Sequence, residues 1–223
     1  ICSSIQPVLN QLALPSVGVV GCRLSYADGR LQPSVGYWHR PVRLALSWLG
    51  LGGWSATQRI ILNPDFYATS HAAIEWVSGA FLATKKTLWQ QFFMYVEDGD
   101  YCLRVAQLGY QISYCADTEV LHYEGAGKAW IGQAALLRTM RSYLLYLDKH
   151  HGVLARVLVG FVLAYVMLLR AASFLVRRRQ ALADEKSYAF MQAALFLWQS
   201  IGLKRALLQQ PLDVSAYLKK PKA

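Results

Sequence analysis

The sequence is poor in acidic residues, and this shortage limits the kinds of molecule that the protein is expected to bind. The 223 residues include 13 Asp and Glu but 23 Lys and Arg, which gives a formal net charge of +10. Such an excess indicates an anionic partner, which can be nucleic acid, anionic lipid or a phosphorylated substrate. Because no recognition helix, zinc motif or RNA-binding motif accompanies the charge, we expect no nucleic-acid partner.

Cysteine is also scarce. Cys2, Cys22, Cys102 and Cys115 show neither metal-ligand spacing nor the pattern of a secreted disulfide framework. A reduced, cytoplasmic setting is therefore the default. The chain starts at Ile1 and not at methionine, so we expect its N-terminus to be cut from something longer. For that reason the lack of a visible signal peptide is uninformative.

Long apolar segments are missing as well. The longest run, 157–169, is too short to cross a bilayer core, which needs roughly 20 residues. It lies in a predicted helix in which Arg156, Arg170 and Arg177 fall within about one third of the helical wheel. One basic stripe on an otherwise apolar helix is typical of a helix that lies in a membrane surface. One alternative is that this helix and the next, over 187–209, simply pack on each other and on the domain, and a second is that the tail spans the membrane.

Apolar periodicity and turn residues predict an α/β fold with a mixed β-sheet, followed by an amphipathic helical appendage. The α/β domain is assigned to 1–151 and the membrane-associated tail to 152–223, while 36–73 carry no clear structural signal. The predicted strands lie over 17–26, over 31–35 as the return of a hairpin with its turn at Asp28-Gly29, over 74–84 with a break at Ser78-Gly79, and over 110–116 and 119–124. The predicted helices lie over 4–14, 85–91, 130–149, 153–179 and 187–209, and one more starts in an acidic stretch and stops at Gly109.

The segment 92–104, FFMYVEDGDYCLR, is the most informative about function, because a run of aromatic residues is followed there by acidic residues at the start of a predicted helix. Its carboxylates, Glu97, Asp98 and Asp100, have two interpretations. They can cap the helix and complement its dipole, with Asp100 pairing with Arg104 one turn later. Alternatively, one carboxylate stands at the edge of a cleft and takes a proton from a substrate hydroxyl. Local chemistry alone leaves both open, and capping is the commoner role.

Three segments together resemble the family 2 glycosyltransferases, in particular the bacterial rhamnosyltransferase-like branch. They are VGVVGCRLSYADGRLQPS (17–34), EWVSGAFLATKKTLW (75–89) and FFMYVEDGDYCLRVAQLGYQISYCADTEVLHYEG (92–125). Their order and spacing match as well as their letters, so the resemblance covers about residues 5 to 151.

The resemblance implies an A-type glycosyltransferase fold and inverting transfer from a nucleoside-diphosphate sugar. In that family the Asp of the Glu-Asp pair is the general base, which corresponds to Asp98. One carboxylate is enough for this chemistry, because the diphosphate leaves without the second carboxyl group that a glycosidase needs to protonate its leaving group. Glu97 and Asp100 are expected to support the site, and Asp100 is the second choice for the base.

The resemblance also suggests binding residues. Some related A-type enzymes hold a divalent metal, here Mg²⁺ or Mn²⁺, with a histidine after the last core strand, and His122 stands at the matching place. A lone histidine at a strand end is more often structural. Lys128 could contact the diphosphate or belong to an ordinary solvated loop. Trp76, Ser78 and Gly79 would line the acceptor side of the cleft, with Trp76 as plain core in the alternative.

The nucleotide-binding half of that family, with its Asp-x-Asp metal motif, precedes the strand that corresponds to Val17 here. We therefore expect this chain to hold the acceptor half and a candidate base but no complete donor site. The expected function is sugar transfer to a polyprenyl-linked saccharide in cell-surface polysaccharide synthesis, by an enzyme peripheral to the cytoplasmic face of the bacterial inner membrane. The alternatives are a non-catalytic membrane scaffold with a degenerate transferase domain and a basic nucleic-acid-binding module.

Overall fold

A computed structural model of the chain shows a mixed α/β protein with a curled mixed sheet and a long C-terminal helix. It describes residues 3–53, 58–88, 96–123, 128–176 and 183–203. The chain divides into two compact units, the first formed by 1–39 with 58–126 and the second by 40–57 with 127–223. The predicted boundary at 151 lies inside the second unit, because the helix before that residue packs with the helices that follow it.

The first unit contains seven short or medium strands among its described residues. They are β1 Val17–Ser25, β2 Leu31–Gln32, β3 Val35–Gly36, β4 His71–Ile74, β5 Trp76–Val77, β6 Ala83–Thr84 and β7 Gln111–Leu121. The strand order of the main sheet is β2-β1-β7-β4, with β1 and β7 parallel and with β6 antiparallel to β1. A second, two-stranded sheet pairs β3 with β5.

The main sheet is built around β1, in which all nine residues but Arg23 are buried. This burial on both faces explains why its sequence is a nearly continuous β-branched and small-residue run.

The predicted hairpin after β1 is confirmed. Tyr26 N–H donates to the Arg30 carbonyl at 2.9 Å, and Gly29 has a φ of +81°, a conformation that glycine adopts without a steric cost. The predicted break at Ser78-Gly79 is also confirmed, since β5 ends before it and β6 begins after it.

One strand prediction differs from the structure. The sequence suggested two strands over 110–116 and 119–124, but a single strand, β7, runs from Gln111 through the first of them to Leu121 in the second. Its register against β1 jumps between the pairs Cys22–Cys115 and Arg23–Glu119. The extra residues of β7 form a bulge there, and a bulge interrupts the alternation of side chains on which the sequence prediction depended.

The helices of the first unit cover the sheet. Helix α1 (Gln6–Ala13) is closed by Pro15 as predicted, and α3 (Glu97–Gln107) is stopped at Gly109, whose φ of +88° is typical of the residue that follows a helix C-cap. In the segment 36–73, which the sequence left unassigned, the described residues (36–53 and 58–73) form short elements only. The helical bounds are α1 Gln6–Ala13, α2 Pro41–Leu46 continued by a π-helical stretch Ser47–Leu51, 3-10 turns Pro64–Ala68 and Lys86–Leu88, α3 Glu97–Gln107, α4 Lys128–Val176 and α5 Ala183–Ile201.

The long helix α4, which belongs to the second unit together with α2 and α5, is interrupted at Gly152 (φ 82°, ψ 173°). We name its halves α4a (128–151) and α4b (153–176). A Cβ built on Gly160 would lie 3.3 Å from the Leu144 side chain, and Asp148 forms an ion pair with Arg156. Both contacts join residues equally far from Gly152 on its two sides, so α4a and α4b run antiparallel. The predicted break between helices over 130–149 and 153–179 is confirmed.

Helix α5 also runs antiparallel to α4b. The Phe161 and Trp198 rings meet edge to face with centroids 5.6 Å apart, and Ser187 Oγ donates to the Ala171 carbonyl at 3.0 Å. By length and composition, Ala134–Phe174 could cross or anchor a membrane, although core helices of soluble proteins share these properties. This range contains the turn at Gly152.

Two of the three arginines predicted to form a basic stripe, Arg156 and Arg170, do not face outward. Arg156 is only 4% exposed and its Nε lies 3.5 Å from Asp148 Oδ1. Arg170 is half-buried, with its guanidinium 4.9 Å from the centroid of the Trp48 ring. Arg177 lies outside the described residues. The stripe prediction is therefore wrong for the first two arginines, because periodicity placed them on one side of the helix but could not tell which side faces solvent.

Candidate functional site

The site is organised around the Asp98 carboxylate in the first turn of α3. Its Oδ2 accepts a hydrogen bond from the Gly79 N–H at 3.1 Å, and its Oδ1 accepts one from the Gly99 N–H at 2.8 Å. Burial raises the pKa of this carboxyl, and the two backbone hydrogen bonds offset only part of that effect. Asp98 is thus a fixed, half-buried carboxylate that holds a proton more readily than an ordinary aspartate.

The carboxylates of Asp98 and Glu97 both lie close to Gly79. A Cβ built on Gly79 would lie 3.6 Å from Asp98 Cβ and 3.9 Å from Glu97 Oε1, so both acidic side chains face this exposed glycine. Burial, and secondarily the charge of Asp98, raises the pKa of the Glu97 carboxyl. Its Oε2 is buried without a hydrogen-bond partner in the part of the chain that the structure describes. The Glu-Asp pair is therefore a cluster of negative charge with limited solvation.

The backbone that leads into this pair is strained. Val96 precedes α3 with a φ of 63° and a ψ of 2°, the left-handed region, which a β-branched residue rarely occupies. Such a conformation costs about 1–3 kcal/mol and is concentrated at functional sites. The Val96 carbonyl still accepts the Asp100 N–H at 3.0 Å. The turn at Val96 thereby sets the direction in which Glu97 and Asp98 leave the chain.

The turn that presents the Gly79 N–H is fixed by two serines. Ser78 N–H donates to the Ser34 carbonyl at 2.8 Å, and Ser78 Oγ accepts from the Ala80 N–H at 3.3 Å. Of the two residues that the sequence assigned to the acceptor side, Gly79 lies directly beside Asp98, and Ser78 precedes it in the same turn. The backbone of this turn shapes this edge of the site.

Trp76 is buried, and its indole Nε1–H donates to the Tyr37 carbonyl at 2.8 Å. Its ring packs 5.8 Å from the ring of His39. Of the two roles that the sequence left open for Trp76, this geometry favours the core role, since a 6% exposed ring offers little surface to a sugar.

Sequence reasoning missed His39. This buried histidine lies under the first turn of α3, where a Cβ built on Gly99 would be 2.9 Å from its Nε2 and 3.0 Å from its Cδ2. His39 therefore occupies the space that a side chain at position 99 would need, immediately after Asp98. His39 and Gly99 are 60 positions apart in the sequence, and His39 lies in a segment without a structural signal, so no local pattern could have connected them.

Asp100 is directed along the helix. Its Oδ2 lies 2.9 Å from Arg104 Nε, the one-turn ion pair that the sequence allowed, and both side chains are largely shielded from solvent. The structure therefore places Asp100 with Arg104, whereas it places Asp98 and Glu97 together beside Gly79. This arrangement ranks Asp98 above Asp100 as a candidate base.

His122 follows β7 at the edge of the sheet. Its Nδ1 lies 3.0 Å from Gln32 Oε1, and its backbone N–H donates to the Ser25 carbonyl at 2.9 Å. Among the described residues, no three His, Cys, Asp or Glu side chains gather where one metal ion could bind. A single imidazole falls short of the ligand set that Mg²⁺ or Mn²⁺ requires. The described residues therefore do not by themselves form a metal centre, and metal binding at His122 stays a prediction.

Lys128 begins α4, but its side chain and the loop 124–127 lie outside the described residues. Its predicted contact with a diphosphate likewise stays a prediction.

Comparison with known proteins gives no relative. A scan against protein-family models, a search of curated proteins and a search of solved structures each returned no match. Function must therefore be inferred from the chemistry of the site and from the sequence resemblance.

Proposed function

We propose that this chain carries the acceptor side of an inverting, family 2-like glycosyltransferase with an A-type fold. The observation that supports it best is the Asp98 carboxylate, which follows Glu97, is held by the Gly79 and Gly99 N–H groups, and has a raised pKa. A carboxylate with these properties is suited to general base catalysis, because its proton affinity is moved toward the working pH.

In the proposed reaction Asp98 accepts the proton of an acceptor hydroxyl. The hydroxyl oxygen forms a bond to the anomeric carbon of the donor sugar as the bond from that carbon to the diphosphate breaks. The electron pair of the broken bond leaves with the nucleoside diphosphate, and attack from the opposite face inverts the anomeric centre. The fixed backbone around Asp98 reduces the reorganisation that proton transfer would otherwise need.

The donor is proposed to be a nucleoside-diphosphate sugar, with rhamnose suggested by the resemblance, and the acceptor a polyprenyl-linked saccharide of cell-surface polysaccharide synthesis. The enzyme is proposed to act peripherally at the cytoplasmic face of the bacterial inner membrane. The long apolar helix and the net charge of +10 support this location, because an anionic leaflet attracts basic segments near its surface.

The test is a transfer assay on the longest open reading frame that contains these residues. A panel of nucleotide sugars is offered with a membrane lipid extract as acceptor, with and without EDTA, and wild type is compared with Asp98→Asn. Transfer that falls by at least ~100-fold in the variant supports the proposal, given the usual contribution of a general base. Loss of transfer in EDTA supports a divalent metal, and unchanged transfer in EDTA argues against one.

One observation favours the scaffold alternative. Both oxygens of Asp98 already accept backbone hydrogen bonds, as expected for a carboxylate that only joins the Gly79 turn to α3. On this alternative, Asp98→Asn lowers the stability of the fold and no nucleotide sugar is consumed by wild type. Urea unfolding of the same two proteins, run beside the assay, separates the two functions.

A further inference from the structure

We propose that the outward face of the α4b–α5 helix pair lies in the surface of an anionic lipid bilayer, parallel to the membrane plane. We call this surface the outer face. It includes Leu154, Leu158, Phe161 and Leu168 on α4b and Leu195 and Trp198 on α5, all of them exposed. The inference rests on the membrane association in the proposed function and names the surface, the lipid chemistry and the orientation.

The exposed residues of α4b recur at helical spacing. Leu154, Leu158, Phe161, Tyr165 and Leu168 are separated alternately by four and three positions, which places them on one stripe of the helix. Single exposed apolar side chains are common in soluble proteins, but a stripe of large ones is not.

The second helix widens this stripe. Phe161 and Trp198 are 45% and 65% exposed, and their rings contact each other edge to face at 5.6 Å. Because this contact joins the stripe of α4b to the exposed apolar side chains of α5, the outer face is one continuous apolar surface.

The α4b part of the outer face carries no charged side chain, because the one arginine of this stretch turns inward. Arg156 is the only charged residue between positions 153 and 169, and it is buried against Asp148, with its Nη1 2.5 Å from the Leu203 carbonyl. A surface exposed only to water would be expected to carry interspersed charges of both signs. The outer face therefore has the composition of a surface that contacts hydrocarbon.

The distribution of charge identifies the lipid. The unit that contains the outer face has 17 Lys and Arg against 4 Asp and Glu, whereas the other unit has 6 against 9. The whole positive excess thus belongs to the unit with the apolar face. In sequence, Lys149 precedes α4b and Arg177–Arg179 follow it, so basic residues stand at both ends of the apolar stripe. A second copy of the chain would bring like charges together, whereas an anionic leaflet would neutralise them.

The orientation follows from the turn at Gly152 and from length. The range 134–174 folds back on itself at Gly152, so it does not form one straight helix. The apolar stripe from Leu154 to Leu168 extends about 21 Å, short of the roughly 30 Å of a hydrocarbon core. Only one side of α4b is apolar and exposed, since the other side packs within its own unit, and such one-sided exposure suits a helix in the interface plane.

Vesicle flotation of the 223-residue chain tests the proposal without any sugar donor, so its result is independent of whether sugar transfer is found. Vesicles of phosphatidylcholine alone are compared with vesicles containing phosphatidylglycerol. The variant Leu158→Glu/Leu168→Glu places two charges on the outer face. Its matched control, Leu62→Glu/Leu108→Glu, changes two leucines of the other unit that are similarly exposed, at 60% and 64% against 57% and 50%.

Wild type and the control are expected to float with the phosphatidylglycerol vesicles and only weakly with phosphatidylcholine alone. The outer-face variant is expected to lose at least ~100-fold in partitioning. Equal flotation of both variants would overturn the proposal. Absence of binding by wild type, with a dimer that the outer-face variant dissociates, would assign the surface to a second copy instead. Resistance of bound wild type to carbonate extraction would overturn the in-plane orientation in favour of a span.

Discussion

Replacing Gly99 by alanine probes the contact that positions the candidate base. Gly99 lies inside α3, where alanine is favoured over glycine by about 1 kcal/mol when the site has room. The site has no room, because the new Cβ would lie 2.9 Å from Nε2 of the buried His39. Overpacking of this kind costs about 1–3 kcal/mol. We therefore expect Gly99→Ala to change the free energy of unfolding by between about 0 and 2 kcal/mol, in the destabilising direction.

The cause can be isolated with a double-mutant cycle. In a His39→Ala background the clash is gone, so Gly99→Ala should stabilise the protein by about 1 kcal/mol through helix propensity alone. The coupling energy between the two positions is then about 1–3 kcal/mol, measured by urea unfolding of wild type, both single variants and the double variant. A coupling energy within ~0.3 kcal/mol of zero would refute the inferred packing of His39 under the first turn of α3.

Three further outcomes are expected. Because burial raises the pKa of Glu97 in the folded state, protonation of this group stabilises the fold, and that contribution is lost as pH rises through the raised pKa. Glu97→Gln should therefore stabilise the protein at pH 7. This gain in the free energy of unfolding should be smaller at pH 4, as urea titrations at the two pH values can measure. Asp148→Asn leaves the buried Arg156 without its anionic partner and should cost about 3–5 kcal/mol, whereas replacing both residues by leucine should restore most of the loss. Burial raises the pKa of Cys22 and Cys102 to about 12, so iodoacetamide at pH 8 should leave both unlabelled in the native protein, as mass spectrometry can check.

Local signals were enough to predict much of the first unit. The buried strand from Val17, the turn at Gly29 and the helix stop at Gly109 each depend on residues close in sequence, and each is found in the structure. The same holds for the break at Ser78-Gly79. Such features are predictable because the backbone conformation is decided by the residue that adopts it.

Features that depend on distant contacts were not predictable. The sequence placed Arg156 and Arg170 on one side of a helix correctly but predicted that this side forms a basic stripe at the membrane surface. The antiparallel return at Gly152, which brings Asp148 to Arg156, depends on contacts that periodicity does not show. In the candidate site, the acidic stretch was visible, yet the choice between Asp98 and Asp100 depends on a contact with Gly79. The support from His39 comes from a segment with no periodic pattern at all.

The most direct measurement compares the rates of sugar transfer of Asp98→Asn and Asp100→Asn in the longest reading frame that contains this chain, with the urea midpoint of each variant as a control for folding. If Asp98 is the base, its variant loses at least ~100-fold in kcat while Asp100→Asn stays within about threefold of wild type, because Asp100 pairs with Arg104. A folded Asp98→Asn that keeps most of its activity, or an Asp100→Asn that loses it, would contradict the account.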